Sequence, residues 1–142
     1  MNDWLIIIQK QFKHPYSRLF AGFGLITLVI AIAIGIPDNP PGIILTYLAS
    51  IFLVLTFVHH WREAGQFGTL LAVSVVSFPV LTLLHNVFEI LHEKSGGIPV
   101  IDQLLQGFSL ICFLAAIFIS PAGILIGVLL GLVYLIRPTR NQ

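Results

Sequence analysis

His85, Glu89 and His92 follow one another at intervals of four and three residues within a stretch otherwise dominated by apolar side chains. On a helix advancing roughly 100° per residue, the three fall inside a wedge of roughly 60°, with Ser74 and Thr82 on the same side. Ionisable groups in an apolar helix are costly and usually face a helix bundle or a water-filled cavity. Glu89 is therefore expected inside the protein or beside a cavity, and the trio is the first candidate for chemistry.

Three chemistries suit the trio. Glu89-x-x-His92 has the spacing of carboxylate-bridged di-metal bundles, but those need a second Glu-x-x-His helix, and the sequence has none. A single histidine can hold a haem iron or a chlorophyll. Paired histidines on facing helices would serve a bis-histidine haem, yet His59 and His60 fall at the opposite end of an antiparallel neighbour. His85 with Glu89 could also bind a quinone head group or relay a proton, because histidine titrates near neutrality and burial raises a carboxylate toward it. The plainer alternative is that His85, Asn86 and Glu89 hydrogen-bond to neighbouring helices and hold them together.

A second cluster, His59-His60-Trp61-Arg62-Glu63, reads as a short polar loop able to touch phospholipid head groups or a soluble partner. A third pattern concerns packing. Gly123, Gly127 and Gly131 form Gly-x-x-x-Gly-x-x-x-Gly, a glycine zipper whose missing side chains let another helix approach closely. Ile126, one residue along, is expected to face away from that approach. No family signature accompanies any of these residues.

The elements that must position them follow from composition. Of 142 residues, 57% are hydrophobic and 9% charged, against about 25% charged in soluble domains, and the mean hydropathy is +0.99. The covering solvent is lipid. Long unbroken apolar runs exclude the alternation of a barrel, so the fold is an all-α polytopic membrane protein. With a net charge of +1 and no basic run, nucleic acid is not an expected partner. The single cysteine, Cys112, can make no internal disulfide.

Spans are expected at 19–36, 42–59, 67–91 and 110–136, each near the roughly 20 residues a bilayer core requires. Pro37-Asp38-Asn39-Pro40-Pro41 and His92-Glu93-Lys94-Ser95-Gly96-Gly97 read as loops. Residues 98–109 carry apolar Ile98, Ile101, Leu105 and Phe108 opposite Asp102, Gln103, Gln106 and Ser109, which suits a helix lying in the membrane interface. A competing reading makes 99–119 a span, Ser120-Pro121 a turn and 122–136 a short fifth span. Charge favours four: Lys10, Lys13, Arg18, Arg62, Arg137 and Arg140 then share one side and Lys94 alone lies opposite, which places both termini in the cytoplasm.

The N-terminal stretch puts Trp4, Leu5, Ile8 and Phe12 opposite Asp3, Gln9, Lys10 and Lys13, the pattern of an interfacial amphipathic helix rather than a cleavable signal peptide. Tyr16, Trp61 and Tyr134 sit at span ends, where aromatic belts form. Pro79 and Pro121 free the carbonyls of Val75 and Ile117, and both helices are expected to bend there. The chain reads as one domain starting at Met1.

No nucleotide site, triad or activated nucleophile accompanies these spans, so enzymatic activity by this chain alone is not expected. The function expected first is that of a small subunit or assembly factor, with partners among other membrane subunits or further copies of the chain. A redox or proton-relaying subunit holding a cofactor at His85, Glu89 and His92 is the runner-up, and a small oligomeric transporter comes third.

Overall fold

A computed structural model describes residues 14–36, 39–94 and 99–136. Helix α1 (Pro15–Ile34) opens on Pro15, whose fixed φ and missing N–H suit a first helical position. It stops at Gly35, at φ 96°, whose N–H returns to the carbonyls of Ala31 and Ile32. Asn39 then donates from Nδ2 to the carbonyl of Ile34 at 3.0 Å, covering another exposed acceptor. Helix α2 (Pro40–Val58) starts immediately on a proline pair.

These two helices form an antiparallel hairpin with a seam of small residues. Ser17, Gly24 and Ala31 are the buried residues of α1, seven apart, and Gly42, Ala49 and Thr56 recur at the same interval among those of α2. A seven-residue repeat favours nearly aligned axes, and small side chains allow the close approach that drives association in lipid. The hydroxyls of Thr46, Ser50 and Thr56 donate to the carbonyls four residues earlier, at 2.8 to 2.9 Å. The α2 seam therefore carries polar atoms without leaving those donors unsatisfied.

Helix α3 (Ala64–Lys94) returns antiparallel to a rod made of α4 (Pro99–Leu114), a π-helical turn (Ala115–Ile119) and α5 (Ser120–Ile136). Ser120-Pro121 is thus not a turn between two spans. Proline cannot donate to the carbonyl four residues before it, and the rod absorbs this by widening: the N–H and the hydroxyl of Ser120 both reach the carbonyl of Ala115. Among the described residues four helices are long and apolar enough to cross a membrane, with Pro99–Ile136 counted as one. The protein is an all-α, multi-pass membrane protein. The expected interfacial helix at the N-terminus lies outside the described residues.

The helices stand in a row. α1 packs on α2, α2 reaches the π turn and α5, and α3 lies along α5 and α4. The two hairpins meet where Val58, Phe67 and Ile126 form a buried cluster and where Tyr47 packs on Phe118, with ring centroids 4.9 Å apart. Ile126 is 5% exposed. It does not face lipid: it is buried between Val58 at the end of α2 and Phe67 of α3, because α5 is covered on two sides.

Beyond Tyr47 the hairpins diverge around an apolar cleft of about 560 Å³, where Ile36 and Ile43 face Leu110 and Phe113. The α1–α2 turn is therefore level with Leu110. Residues 99–109 do not lie flat as a separate interfacial helix. They continue the rod past that turn, paired with the end of α3 through Phe88 stacked on Phe108 at 5.7 Å.

At the other end, His14 meets His59, Phe67 meets Trp61 and Tyr134, and Arg62 Nη1 joins the two groups by donating to the His59 carbonyl and the Tyr134 hydroxyl. The start of α1 and the end of α5 thus share one face of the molecule.

Candidate functional site

The polar residues of α3 divide between two directions. His85 and Ser74 point toward the rod, with Ser74 7% exposed. Thr82 and Asn86 lie on the exposed side, and Thr82 donates back to the carbonyl of Phe78 at 2.9 Å. One continuous polar face does not form.

What faces His85 is Ser109 on α4. His85 Nδ1 lies 2.7 Å from Ser109 Oγ and 3.2 Å from its carbonyl oxygen. His85 Nε2 lies 3.6 Å from Glu89 Oε2, one helical turn on. A neutral ring protonated on Nε2 satisfies both neighbours, because the serine hydroxyl then donates to Nδ1 while Nε2–H faces the carboxylate. Phe113 covers the ring, with centroids 5.1 Å apart. Ser109 is 7% exposed, so its hydroxyl is an interhelical hydrogen-bond partner with no open side for a substrate.

Glu89 does not lie in the interior. Its side chain is 58% exposed, with His85 as the polar neighbour. The reason is its place on α3: it stands close to the level of the α1–α2 turn and beyond it, where a carboxylate can reach the head-group layer instead of needing an internal partner.

His92 pairs differently. Its Nδ1 lies 2.8 Å from Asp102 Oδ1, with the two side chains 33% and 35% exposed. Asp102 occupies the first turn of α4 and His92 the last turn of α3, so the Asp102 carboxylate also complements its helix dipole. The pair fastens the far end of the hairpin. His85, Glu89 and His92 are thus engaged at the α3–α4 seam, and among the described residues no group of three or more His, Cys, Asp or Glu could hold a metal ion. His59 and His60 stand at the opposite end, beside His14.

The glycines line the other half of the same seam. A Cβ on Gly123 would collide with Ser74 Oγ and lie 3.1 Å from Ser74 Cβ; one on Gly127 would lie 3.0 Å from the backbone nitrogen of Leu71; one on Gly131 would meet Phe67 Cβ at an ordinary 3.5 Å. Gly127 thus admits the backbone of α3, Gly123 makes room for the Ser74 side chain, and Gly131 does not depend on lacking a side chain.

Sequence reasoning did not join Asp102 and Ser109 to the histidines, although both stood on the polar face of residues 98–109. The available signal was two polar faces on consecutive antiparallel helices, which must meet. It also overlooked the seam of Ser17, Gly24 and Ala31 with Gly42, Ala49 and Thr56.

Compared with known proteins, the chain matches no family model, no curated protein and no solved structure.

Proposed function

We propose that this protein is a small helical subunit or assembly factor of a larger membrane protein complex, with the glycine face of α5 serving as the zipper that fastens its two halves. The observation carrying this reading is the overhang of α3 and α4. At 1.5 Å per residue, α1 and α2, of 20 and 19 residues, match a core of roughly 30 Å, while α3 has 31. On the overhang Leu91, Val100, Ile101 and Leu104 are 46%, 68%, 45% and 56% exposed. Apolar surface projecting past the acyl layer is left to head groups and water at a hydrophobic cost, and exposed apolar surface of this kind marks protein interfaces.

Gentle detergent extraction, mass analysis of co-purifying proteins and an absorbance spectrum test the proposal. The expected result is colourless protein with stoichiometric partners that Leu104→Glu releases. A Soret band would favour the runner-up, a redox subunit, and protein that stays alone under all mild conditions would sink the subunit reading. The proton-relay variant of the runner-up draws support from the series Ser109, His85, Glu89, a hydrogen-bond contact of 2.7 Å followed by a gap of 3.6 Å.

Orientation belongs to the same proposal. We propose a cytoplasmic location for the shared face of His14 and Tyr134, a reading supported by the excess of lysine and arginine on that side. A reporter fused after Gln142 should be active in the cytoplasm alone, and activity on the far side would reverse the topology.

A further inference from the structure

Three imidazoles meet where α1 begins and α2 stops. The ring centroids of His59 and His60 lie 5.5 Å apart, and those of His14 lie 6.2 Å from each, with the His14 and His60 rings parallel to within 4°. His59 Nδ1 is 3.1 Å from the carbonyl of Leu55, so when Nδ1 carries the proton and donates there, Nε2 is left to take up a second one. Arg62 folds over the same end, its Nη1 donating to the carbonyls of His59 and Trp61 at 3.0 and 2.9 Å. The groups that titrate or carry charge around this end are His14, Tyr16 and Arg18 from α1, His59 and His60 from the end of α2, Arg62 and Glu63 from the loop, and Tyr134 from α5.

Two observations say what such a cluster takes. It gathers positive charge when its histidines protonate: burial first, and then the neighbouring His59, His14 and Arg62, lower the pKa of His60 below its ordinary value. It also lies at a membrane surface, because Tyr16, 64% exposed, Trp61 and Tyr134 form the aromatic rim at this level. A transition metal does not suit it, since among the described residues no three candidate ligands are placed to hold one.

We propose that His14, His59, His60 and Arg62 form a binding site for a phosphate group, supplied by the phosphodiester of an anionic lipid head group and held more tightly as the imidazoles protonate. A phosphate offers several acceptor oxygens, and the cluster brings three imidazoles and a guanidinium, all N–H donors when charged, to one end of the helix pair. The sign of the pH dependence follows. An anion prefers the charged ring, so binding is strong below the histidine pKa and is lost as pH rises through it. The depressed His60 contributes at the acid end of that window.

The test uses the full chain in nanodiscs of phosphatidylcholine doped with phosphatidylglycerol, whose phosphodiester keeps one charge throughout. Lipid retained by the protein is counted by native mass spectrometry at about pH 5.5 and about pH 8, either side of the ordinary histidine pKa of about 6.5. Phosphatidylglycerol retention should be higher at the acid pH by on the order of tenfold. The double variant His59→Gln, His60→Gln should lose that preference while melting like the parent in pure phosphatidylcholine. His14→Gln, at the outer end of α1, serves the same purpose if the double variant does not fold. Inorganic phosphate added at the acid pH separates the sources: displacement of phosphatidylglycerol keeps the site and makes dissolved phosphate its ligand, and no displacement assigns it to the lipid. Equal retention at both pH values, or an unchanged preference in the folded variants, overturns the proposal.

Discussion

Gly127→Leu should separate α3 from α5 and lower the melting temperature more than any other substitution on the glycine face. The Cβ alone would lie 3.0 Å from Leu71 Cβ and from its backbone nitrogen, and 3.1 Å from its Cα. Those atoms belong to a helix backbone and cannot step aside as the tip of a flexible side chain can. Overpacking of this kind costs about 1–3 kcal/mol, occasionally more, and a leucine continues well past its Cβ. Gly131→Ala should be neutral or slightly stabilising, because its Cβ would make an ordinary contact at 3.5 Å with Phe67 and helix propensity favours alanine by about 0.8–1.0 kcal/mol. Leu129→Ala, at a position 54% exposed, is the lipid-facing control. Ile126 cannot serve as one, since it is buried against Val58 and Phe67. Thermal melts in one detergent decide the matter, and equal melting of Gly127→Leu and Leu129→Ala would refute the packing role.

Gly42→Val should do comparable damage at the other seam. Here a Cβ would run into the carbonyl oxygen of Gly35, with the carbonyl carbon 2.9 Å away and Ile36 Cα at 3.3 Å. Backbone meets backbone on both sides, and Pro40 and Pro41 immediately before Gly42 stiffen the chain that would have to yield. The turn must open, which breaks the bond from Asn39 to Ile34 and lifts α2 away from Ala31. A loss of about 2–3 kcal/mol is expected from the overpacking. Gly22→Ala offers the contrast, because nothing lies within 4 Å of its new Cβ and the helix gains propensity. Gly22→Ala should melt above the parent and Gly42→Val well below it. Similar melting of the two would show that the turn is softer than its contacts imply.

The helical membrane fold was legible because apolar runs of span length allow little else. The spacing of Gly123, Gly127 and Gly131 pointed to a close contact, but of these only Gly123 and Gly127 lie where a side chain would collide, and Gly131 shares the spacing without the need. The α1–α2 seam was not legible, because a single small residue in each seven, such as Ser17, Gly24 and Ala31, is diluted in a chain full of small residues until the partner helix is known. Pro121 was undecidable locally. A proline can end a helix or be absorbed in a wide turn, and here the choice went with Ser120, which reaches the carbonyl of Ala115. For the candidate site, His85, Glu89 and His92 were found by type and spacing, but their partners Ser109 and Asp102 required the hairpin. Glu89 was misjudged because depth along a helix matters as much as direction around it.

The unequal lengths of the two hairpins bear on the surrounding lipid. On the α1–α2 flank the protein presents an apolar height of about 30 Å, while on the α3 flank the helix continues past that level with apolar Ile90 and Leu91 among the charged Glu89, Glu93 and Lys94. A bilayer meeting both flanks at once is stretched on one side and relaxed on the other, at a cost of fractions of a kcal/mol per ångström of mismatch. Tilting one hairpin relieves its own mismatch only by straining the contact of Tyr47 with Phe118. A bilayer around the protein would thus meet two flanks of unequal height, a mismatch that a neighbouring protein along the taller side would remove.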